Sequence, residues 1–90
     1  MRIIFSSSAW AEYLYWQGAD PSTLRKINDL IEDVRRHPFS GLGKPEPLRN
    51  ELGGFWSRRI NQKHRLIHRV SGKAPDQAVE IAACRFHYTR

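Results

Sequence analysis

Three kinds of side chain in this 90-residue chain could together carry out acid–base chemistry on a phosphodiester. Glu46 is a carboxylate between two prolines, His87 and Tyr88 form an imidazole–phenol pair near the chain end, and arginines such as Arg65 lie between them. Cleavage of RNA without a metal needs a base for the 2′-hydroxyl, a cation for the phosphorane charge and an acid for the leaving 5′-oxygen. Candidates for all three roles are therefore present.

The arginines of the C-terminal half could bind a phosphate in a fixed geometry. A guanidinium presents a planar fork of donors, which suits phosphate better than the point charge of a lysine. The cluster consists of Arg58, Arg59, Arg65, Arg69 and Arg85. The alternative interpretation is a solvated sheet face whose charges discourage pairing with other chains. By itself, Glu46 could equally be an ordinary surface glutamate.

The charge balance favours a polyanionic partner. Fifteen Lys and Arg against nine Asp and Glu give a formal net charge of +6 and a pI near 10.1. Such a balance is typical of domains that bind nucleic acid, although many small basic proteins are merely soluble. Charge alone does not decide between these two classes, so the placement of the basic residues has to.

Other kinds of site are disfavoured. His64 and His68 lie four residues apart on a predicted strand, too far from each other to share a zinc ion. Cys84 is the only cysteine, so an intramolecular disulfide is excluded. The stretch 41–44 is not followed by a helix pattern, as a phosphate-binding loop requires. We therefore predict no metal and no cofactor.

Two helices and four strands are predicted. A short strand, Arg2–Phe5, precedes a helix that begins in the serine cluster 6–8 and runs to about Gln17. A second helix begins at Asp20-Pro21 and ends at His37-Pro38. A loop rich in proline and glycine covers residues 38–54, and strands follow at 55–60, 64–70 and 79–88. The stripe expected in the core is Trp10, Tyr13, Leu14 and Gln17 on the first helix, and Leu24, Ile27, Leu30, Ile31 and Val34 on the second.

This order, βααβββ, predicts an α+β fold in one domain over residues 1–90. Consecutive hairpins should form an antiparallel sheet, and both helices should pack on one face of it, which leaves the other face open. Alternation along the last strand puts Ile81, Ala83, Arg85 and His87 on a common face. No signal peptide or membrane-spanning run is present, so we expect a cytoplasmic protein without membrane contact.

The sequence resembles the YoeB toxins of the RelE-like superfamily over nearly its whole length. The most specific segments are Gly-Lys-Pro-Glu-Pro-Leu at 43–48 and Gly-Phe-Trp-Ser-Arg-Arg-Ile at 54–60. Tyr-Leu-Tyr-Trp-Gln at 13–17, His-Arg-Leu at 64–66 and Ala-Ala-Cys-Arg at 82–85, followed by His87-Tyr88, extend the match to both ends. The turn at 71–77 is longer than in similar sequences, and Thr89-Arg90 extends past the His-Tyr pair.

The resemblance implies a RelE-like microbial RNase fold and a toxin of a type II toxin–antitoxin system that cleaves messenger RNA in the ribosomal A site. Glu46 would be the general base, Arg65 the transition-state cation, His87 the general acid and Tyr88 an RNA-positioning ring. The residues expected to bind RNA are Lys44, Arg49, Arg58 and Arg59. The implied partners are the ribosome, an acidic YefM-like antitoxin whose disordered segment folds on the toxin, and a second copy in a homodimer.

Two non-catalytic functions would use the same basic surface. A module that only binds RNA or the ribosome would show salt-dependent binding without new RNA ends. A module that docks an acidic antitoxin segment would bind protein, and this function is compatible with the enzymatic one.

Overall fold

One five-stranded sheet with two helices makes up the structure, a computed structural model that describes residues 1–87. The elements in chain order are β1 (Arg2–Phe5), α1 (Ser7–Ala19), α2 (Pro21–Arg36), β2 (Glu46–Pro47), a 3₁₀ turn (Asn50–Leu52), β3 (Trp56–Arg59), β4 (Arg65–Ser71) and β5 (Ala78–Ala83).

The strand order across the sheet is β1-β5-β4-β3-β2. The pairs β2–β3, β3–β4 and β4–β5 are antiparallel, as the short connections between them require, whereas β1 lies parallel to β5. The α+β class is confirmed, and the sheet is mixed rather than wholly antiparallel. The strand β1 can add in parallel because both helices intervene between it and the strands that follow.

The helices begin where the sequence predicts. The Ser6 hydroxyl accepts a hydrogen bond from the Ala9 amide at 3.0 Å, and the Asp20 carboxylate accepts from the amides of Ser22 and Thr23. The first helix continues past Gly18 to its end at Ala19, two residues beyond the predicted end. Within residues 1–87, neither helix combines the length and the apolar character that crossing a bilayer requires.

The core lies between the helices and one face of the sheet. The predicted α2 stripe is confirmed, with Ile27, Leu30 and Val34 fully buried. The predicted α1 stripe is wrong for Trp10 and Leu14, which are nearly half exposed, and for the exposed Gln17, whereas Tyr13 packs against the core as predicted. The buried α1 residues are Ala9 and Trp16. The small Ala9 side chain lets α1 lie close to the chain that follows β5, where the Cys84 thiol is 3.6 Å from the Ala9 carbonyl oxygen.

A bulge near the end of β5 changes which side chains face the helices. Ile67 pairs with Ala83 while His68 pairs with Ile81, so Ala82 is an extra residue in β5. The strand then ends at Ala83 rather than continuing to residue 88. The predicted common face for residues 81–87 is therefore wrong, because alternation is interrupted at the bulge and stops four residues before His87.

We call the side of the sheet away from the helices the free face; it carries Ser57, Ile67, Arg69, Glu80 and Ala83. This face is only partly open. Ile67 is 6% exposed although it points away from the helices. Leu52, in the 3₁₀ turn of the long loop, lines the same cleft as Ile67. The loop between α2 and β3 therefore covers part of a surface that the sequence predicts to be open.

Replacing His68 with phenylalanine is expected to make the protein more resistant to acid. His68 is 1% exposed, and neither of its ring nitrogens has a hydrogen-bonding partner within residues 1–87. Burial and the nearby positive charge of Arg58 lower the pKa of His68 from 6.5 to about 4. Between these pH values the unfolded chain binds a proton that the folded chain does not, so stability is lost as the pH falls from 6.5 to 4. At pH 4 the loss is about 3 kcal/mol, from 1.36 kcal/mol per pKa unit.

Urea denaturation at pH 7 and pH 4.5 measures this effect. The fall in unfolding free energy between the two pH values should be smaller by about 2 kcal/mol in His68→Phe than in the wild type. His37→Phe is the comparison variant, because it removes an exposed histidine instead of a buried one. An unchanged acid response in His68→Phe would contradict the prediction.

Candidate active site

Glu46 lies on the two-residue strand β2, at the edge of the sheet. It pairs with Ser57 of β3, and Ser57 pairs in turn with Ile67 of β4. Residues paired in this way share a face, so the Glu46 carboxylate belongs to the free face and is exposed there. The flanking prolines fix the backbone on both sides of the carboxylate. The sequence predicts a loop here, and the short strand defines the position of Glu46 relative to β3 and β4.

The loop segment before Glu46 is fixed by a close packing contact. Gly43 has φ +79°, and a Cβ at this position would lie 2.9 Å from the Leu30 side chain and 3.0 Å from the Arg59 carbonyl oxygen. Only glycine fits both the conformation and the space. The Gly43 carbonyl also accepts a hydrogen bond of 2.7 Å from the Arg59 amide. The loop thus approaches the end of β3 and leads the chain directly into β2.

A cleft of about 260 Å³ lies on the free face, next to the end of β5. Its lining consists of Leu52, Ile67, Ala82, Ala83, Arg85, Phe86 and His87. The floor is apolar, and His87 is an exposed ionisable group in the wall. A mostly apolar concave site with a few polar groups is the usual form of a ligand-binding site.

The segment that carries His87 is anchored on two sides. The Cys84 amide donates to the Glu12 carboxylate at 2.8 Å, and the Cys84 carbonyl accepts from the indole N–H of Trp16 at 2.8 Å. The Phe86 amide donates to Nδ1 of His64 at 2.7 Å, and the Phe86 carbonyl accepts from the Arg65 amide at 3.0 Å. These bonds join the segment to α1 and to the start of β4.

Arg65 is adjacent to this segment at the first position of β4. Its Nη1 donates to the carbonyls of Asn61, Gln62 and His64, at 2.7, 3.3 and 3.1 Å, and so braces the turn between β3 and β4. A phosphate contact would have to come from Nε or Nη2. The structure brings Arg65 and the segment that carries His87 together through the backbone bond to Phe86. Glu46 lies two strands away and is offset from Arg65 by two residues along the strands, at roughly 12 Å for a strand spacing near 4.8 Å and a rise near 3.3 Å per residue.

Among the described residues, the arginines at one end of the free face have no acidic partner, whereas the arginine at the other end forms a salt bridge. Arg59 and Arg65 pair across β3 and β4, and within the described part of the chain neither forms a salt bridge. Arg69, farther along β4, is 2.9 Å from the Glu80 carboxylate. Hydrogen bonds from Ser71 and Arg69 lower the pKa of Glu80, which keeps it charged. A polyanion would therefore be attracted to the Arg59–Arg65 end of the face.

Among the predicted RNA-binding residues, Lys44, Arg49 and Arg59 are exposed. Lys44 lies two residues before β2 and Arg49 two residues after it, and Arg59 ends the neighbouring strand β3, so all three belong to the same edge of the sheet as Glu46. Tyr88, which is predicted to position RNA, and the tail Thr89-Arg90 lie outside the described residues.

The prediction that Arg58 binds RNA is wrong. Arg58 is fully buried, on the face of β3 that packs against α2. Its guanidinium is 2.6 Å from the Asp33 carboxylate and also donates to the carbonyls of His37, Ser40 and Leu42. The Leu42 amide and then Arg58 hold the pKa of Asp33 below its usual range. Arg58 therefore joins α2 to the following loop, and none of its surface is left for a ligand.

From the sequence, His64 is a candidate only for a metal ligand, and it is not predicted to be part of this site. Neither spacing nor residue type indicates that it accepts a bond from Phe86, because the contact joins positions 22 residues apart. Residues 1–87 contain no group of three His, Cys, Asp or Glu side chains that could hold a metal ion. Burial raises the pKa of Cys84 to about 12, so this thiol is packed as an apolar group, as predicted, and is not a nucleophile.

Solved structures of toxins share this fold. A YoeB/ParE toxin from Agrobacterium tumefaciens superposes with a TM-score of 0.96 and 49% sequence identity, covering 98% of this chain and all of that one. YoeB from Staphylococcus aureus is 40% identical and has been solved as a dimer, with a TM-score of 0.88, and in a heterotetrameric complex with YefM, with a TM-score of 0.87. Each comparison covers 98% of both chains. The fold thus places this chain among small bacterial toxins.

The sequence comparisons give the family. Toxin YoeB from Escherichia coli strain K12 is 53% identical over 88 residues, which are 98% of this chain and 100% of that protein. The family model for the YoeB-like toxin of bacterial type II toxin–antitoxin systems matches residues 5–88. This chain belongs to the family of YoeB-like toxins of type II toxin–antitoxin systems, as the resemblance noted in the sequence implies.

Proposed function

We propose that this toxin is an endoribonuclease that stops translation by cutting messenger RNA in the ribosomal A site. The observation that carries the proposal is the position of His87, exposed in the wall of a cleft beside an arginine pair that forms no salt bridge within residues 1–87. Glu46 shares the free face with this cleft, two strands from Arg65. Family membership supports the same activity.

In the proposed reaction Glu46 removes the proton of a ribose 2′-hydroxyl, and the resulting oxygen attacks the adjacent phosphorus. The new O2′–P bond forms while the P–O5′ bond breaks. Arg65 stabilises the negative charge of the phosphorane, and His87 donates a proton to the leaving 5′-oxygen. The products are a 2′,3′-cyclic phosphate, which can open to a 3′-phosphate, and a 5′-hydroxyl. Every proton is moved by a side chain, so these steps need no cofactor.

Binding would rely on the exposed basic residues around the site. Lys44, Arg49 and Arg59 would contact phosphates on either side of the scissile bond, and Tyr88 would position the RNA. Contacts of this kind make affinity fall with rising salt, because each neutralised phosphate releases counterions.

A partner in the cell would be a cognate acidic antitoxin of the YefM type, whose disordered segment folds on the toxin. The net charge of +6 favours such a segment. The YoeB–YefM complex from S. aureus supports this partner, and the YoeB dimer from the same species supports a homodimer. We place the toxin in the cytoplasm as one domain over residues 1–90, where the ribosome is accessible.

Mapping RNA 5′ ends after brief induction tests the function. Wild-type protein should stop protein synthesis and create new 5′-hydroxyl ends within translated messages. His87→Ala should create none while keeping the wild-type unfolding temperature, because the leaving oxygen would lack its proton donor.

His37→Ala is the control variant, since it removes another exposed histidine that lies outside the cleft. It should produce the same ends as the wild type. Salt-dependent RNA binding without new ends in the wild type would refute the nuclease and leave the RNA-binding module as the function. Ends produced equally by His87→Ala would refute the assigned role of His87.

A further inference from the structure

The residue before His87 has an unfavourable backbone conformation that needs support. Phe86 has φ +70°, in the left-handed region, which costs a residue with a side chain roughly 1–2 kcal/mol. The residue is 57% exposed, so burial of its side chain supplies little compensation. Such conformations persist only where the surroundings hold them, and they concentrate at functional sites.

The support comes from two consecutive residues, His64 just before β4 and Arg65 at its first position. The Arg65 amide donates to the Phe86 carbonyl at 3.0 Å, and Nδ1 of His64 accepts from the Phe86 amide at 2.7 Å. Because the ladder between β4 and β5 ends at Ala83, no strand carbonyl takes this amide. The imidazole of His64 therefore does what a carbonyl oxygen of a neighbouring strand would do.

We propose that His64 is a positioning residue that holds His87 in the cleft by fixing the backbone of Phe86. Its ring is held in turn by Trp16, whose indole lies edge-on at 4.8 Å and donates to the Cys84 carbonyl. The catalytic part of this proposal rests on the proposed ribonuclease activity. The structural part, the bond from Phe86 to His64, does not.

The bond fixes the protonation state of His64. Nδ1 can accept only when it carries no proton, so the neutral ring has its proton on Nε2. Burial, and then the charges of Lys63 and Arg85, lower the pKa of His64 and favour this neutral form. Asp20 contributes a carboxylate to the cavity that His64 also lines, and this carboxylate is engaged in capping α2.

The sharpest test compares His64→Asn with His64→Leu. The two replacements have almost the same shape, and only asparagine places an acceptor oxygen near the position of Nδ1. Both lose the contact with the Trp16 ring equally, so a purely structural role would affect them alike. We expect RNA cleavage to fall by about 10- to 100-fold in His64→Leu, as a misplacement of about 1 Å can cause, and to be substantially retained in His64→Asn.

Nuclear magnetic resonance of the protein alone tests the geometry without any RNA. The His64 ring should be the Nε2–H tautomer in the wild type, and hydrogen exchange at the Phe86 amide should be slow in the wild type and in His64→Asn but fast in His64→Leu. An Nδ1–H tautomer, or equal protection in all three proteins, would overturn the proposal even if cleavage is normal. If the wild type does not cut RNA, the nuclease fails, while the tautomer and the exchange pattern still decide the role of His64.

Discussion

Glu46→Gln is expected to lower the rate of RNA cleavage by about 10²- to 10⁴-fold, the usual contribution of a general base. The substitution keeps the size of the side chain and its position opposite Ser57, but the amide cannot take a proton from the 2′-hydroxyl. The unfolding temperature should stay unchanged, because Glu46 is exposed and β2 is fixed by its backbone. Single-turnover cleavage of a programmed ribosome, measured beside thermal unfolding, checks both expectations.

Glu80→Gln is the matched control, because Glu80 is another carboxylate on the same face of the sheet. Its oxygens accept from Arg69 at 2.9 Å and from Ser71 at 2.7 Å, and the same two residues lower its pKa. A carboxylate engaged in this way is a weaker base than an unengaged one. Its replacement should leave the cleavage rate within a few-fold of the wild type. Equal losses in the two variants would indicate a general effect of charge on RNA binding rather than proton transfer.

Removing the 2′-hydroxyl from the substrate provides an independent check of the reaction in which Glu46 is the base. A message with a single 2′-deoxynucleotide at the cleavage position lacks the nucleophile and should remain intact.

A double variant tests whether Glu46 and His87 act together. In Glu46→Gln/His87→Ala the loss of cleavage rate should be smaller than the product of the two single losses, because base and acid act on one transition state. Strictly multiplicative losses would argue that the two residues do not act in the same step.

The sequence predicts best where one face of an element is apolar and the other is charged. The second helix is such a case, and its buried residues Ile27, Leu30 and Val34 follow from the 3.6-residue period. The first helix is apolar nearly all round, so its pattern does not show which side is buried. The buried side is the one that contains Ala9 and Trp16, because both residues contact Cys84 in the folded protein.

The site residues show a similar division. The motif around Glu46 identifies the region of the site. Alternation shows that Arg58 and Arg59 point to opposite faces of the sheet, but because both are arginines it does not show which of them is buried. The bulge at Ala82 has no sequence signal, and it ends the alternation that predicts the orientation of His87. The role of His64 is a contact between distant parts of the chain, so it emerges only from the folded structure.

Arg58→Met is expected to lower the free energy of unfolding by about 3–5 kcal/mol, as the removal of one partner from a buried ion pair typically does. Methionine keeps an apolar stem of similar length, but the carbonyls of His37, Ser40 and Leu42 lose their donor. The Asp33 carboxylate, 16% exposed, loses its cation. At about 4–8 °C per kcal/mol for a domain of this size, the unfolding temperature should fall by at least about 12 °C.

Arg59→Met separates this structural effect from the charge effect, because it removes the same group one residue later, on the exposed side of β3. We expect unfolding to change by less than about 0.5 kcal/mol, the range of ordinary surface substitutions. We also expect RNA affinity to fall and to depend less steeply on salt, since one phosphate contact is lost. A stable Arg58→Met protein with weakened RNA binding would reverse the assignment of the two arginines. An unstable Arg58→Met protein, together with a stable Arg59→Met protein that binds RNA more weakly, would show that the loop leading to Glu46 is held to α2 by a guanidinium that never touches the substrate.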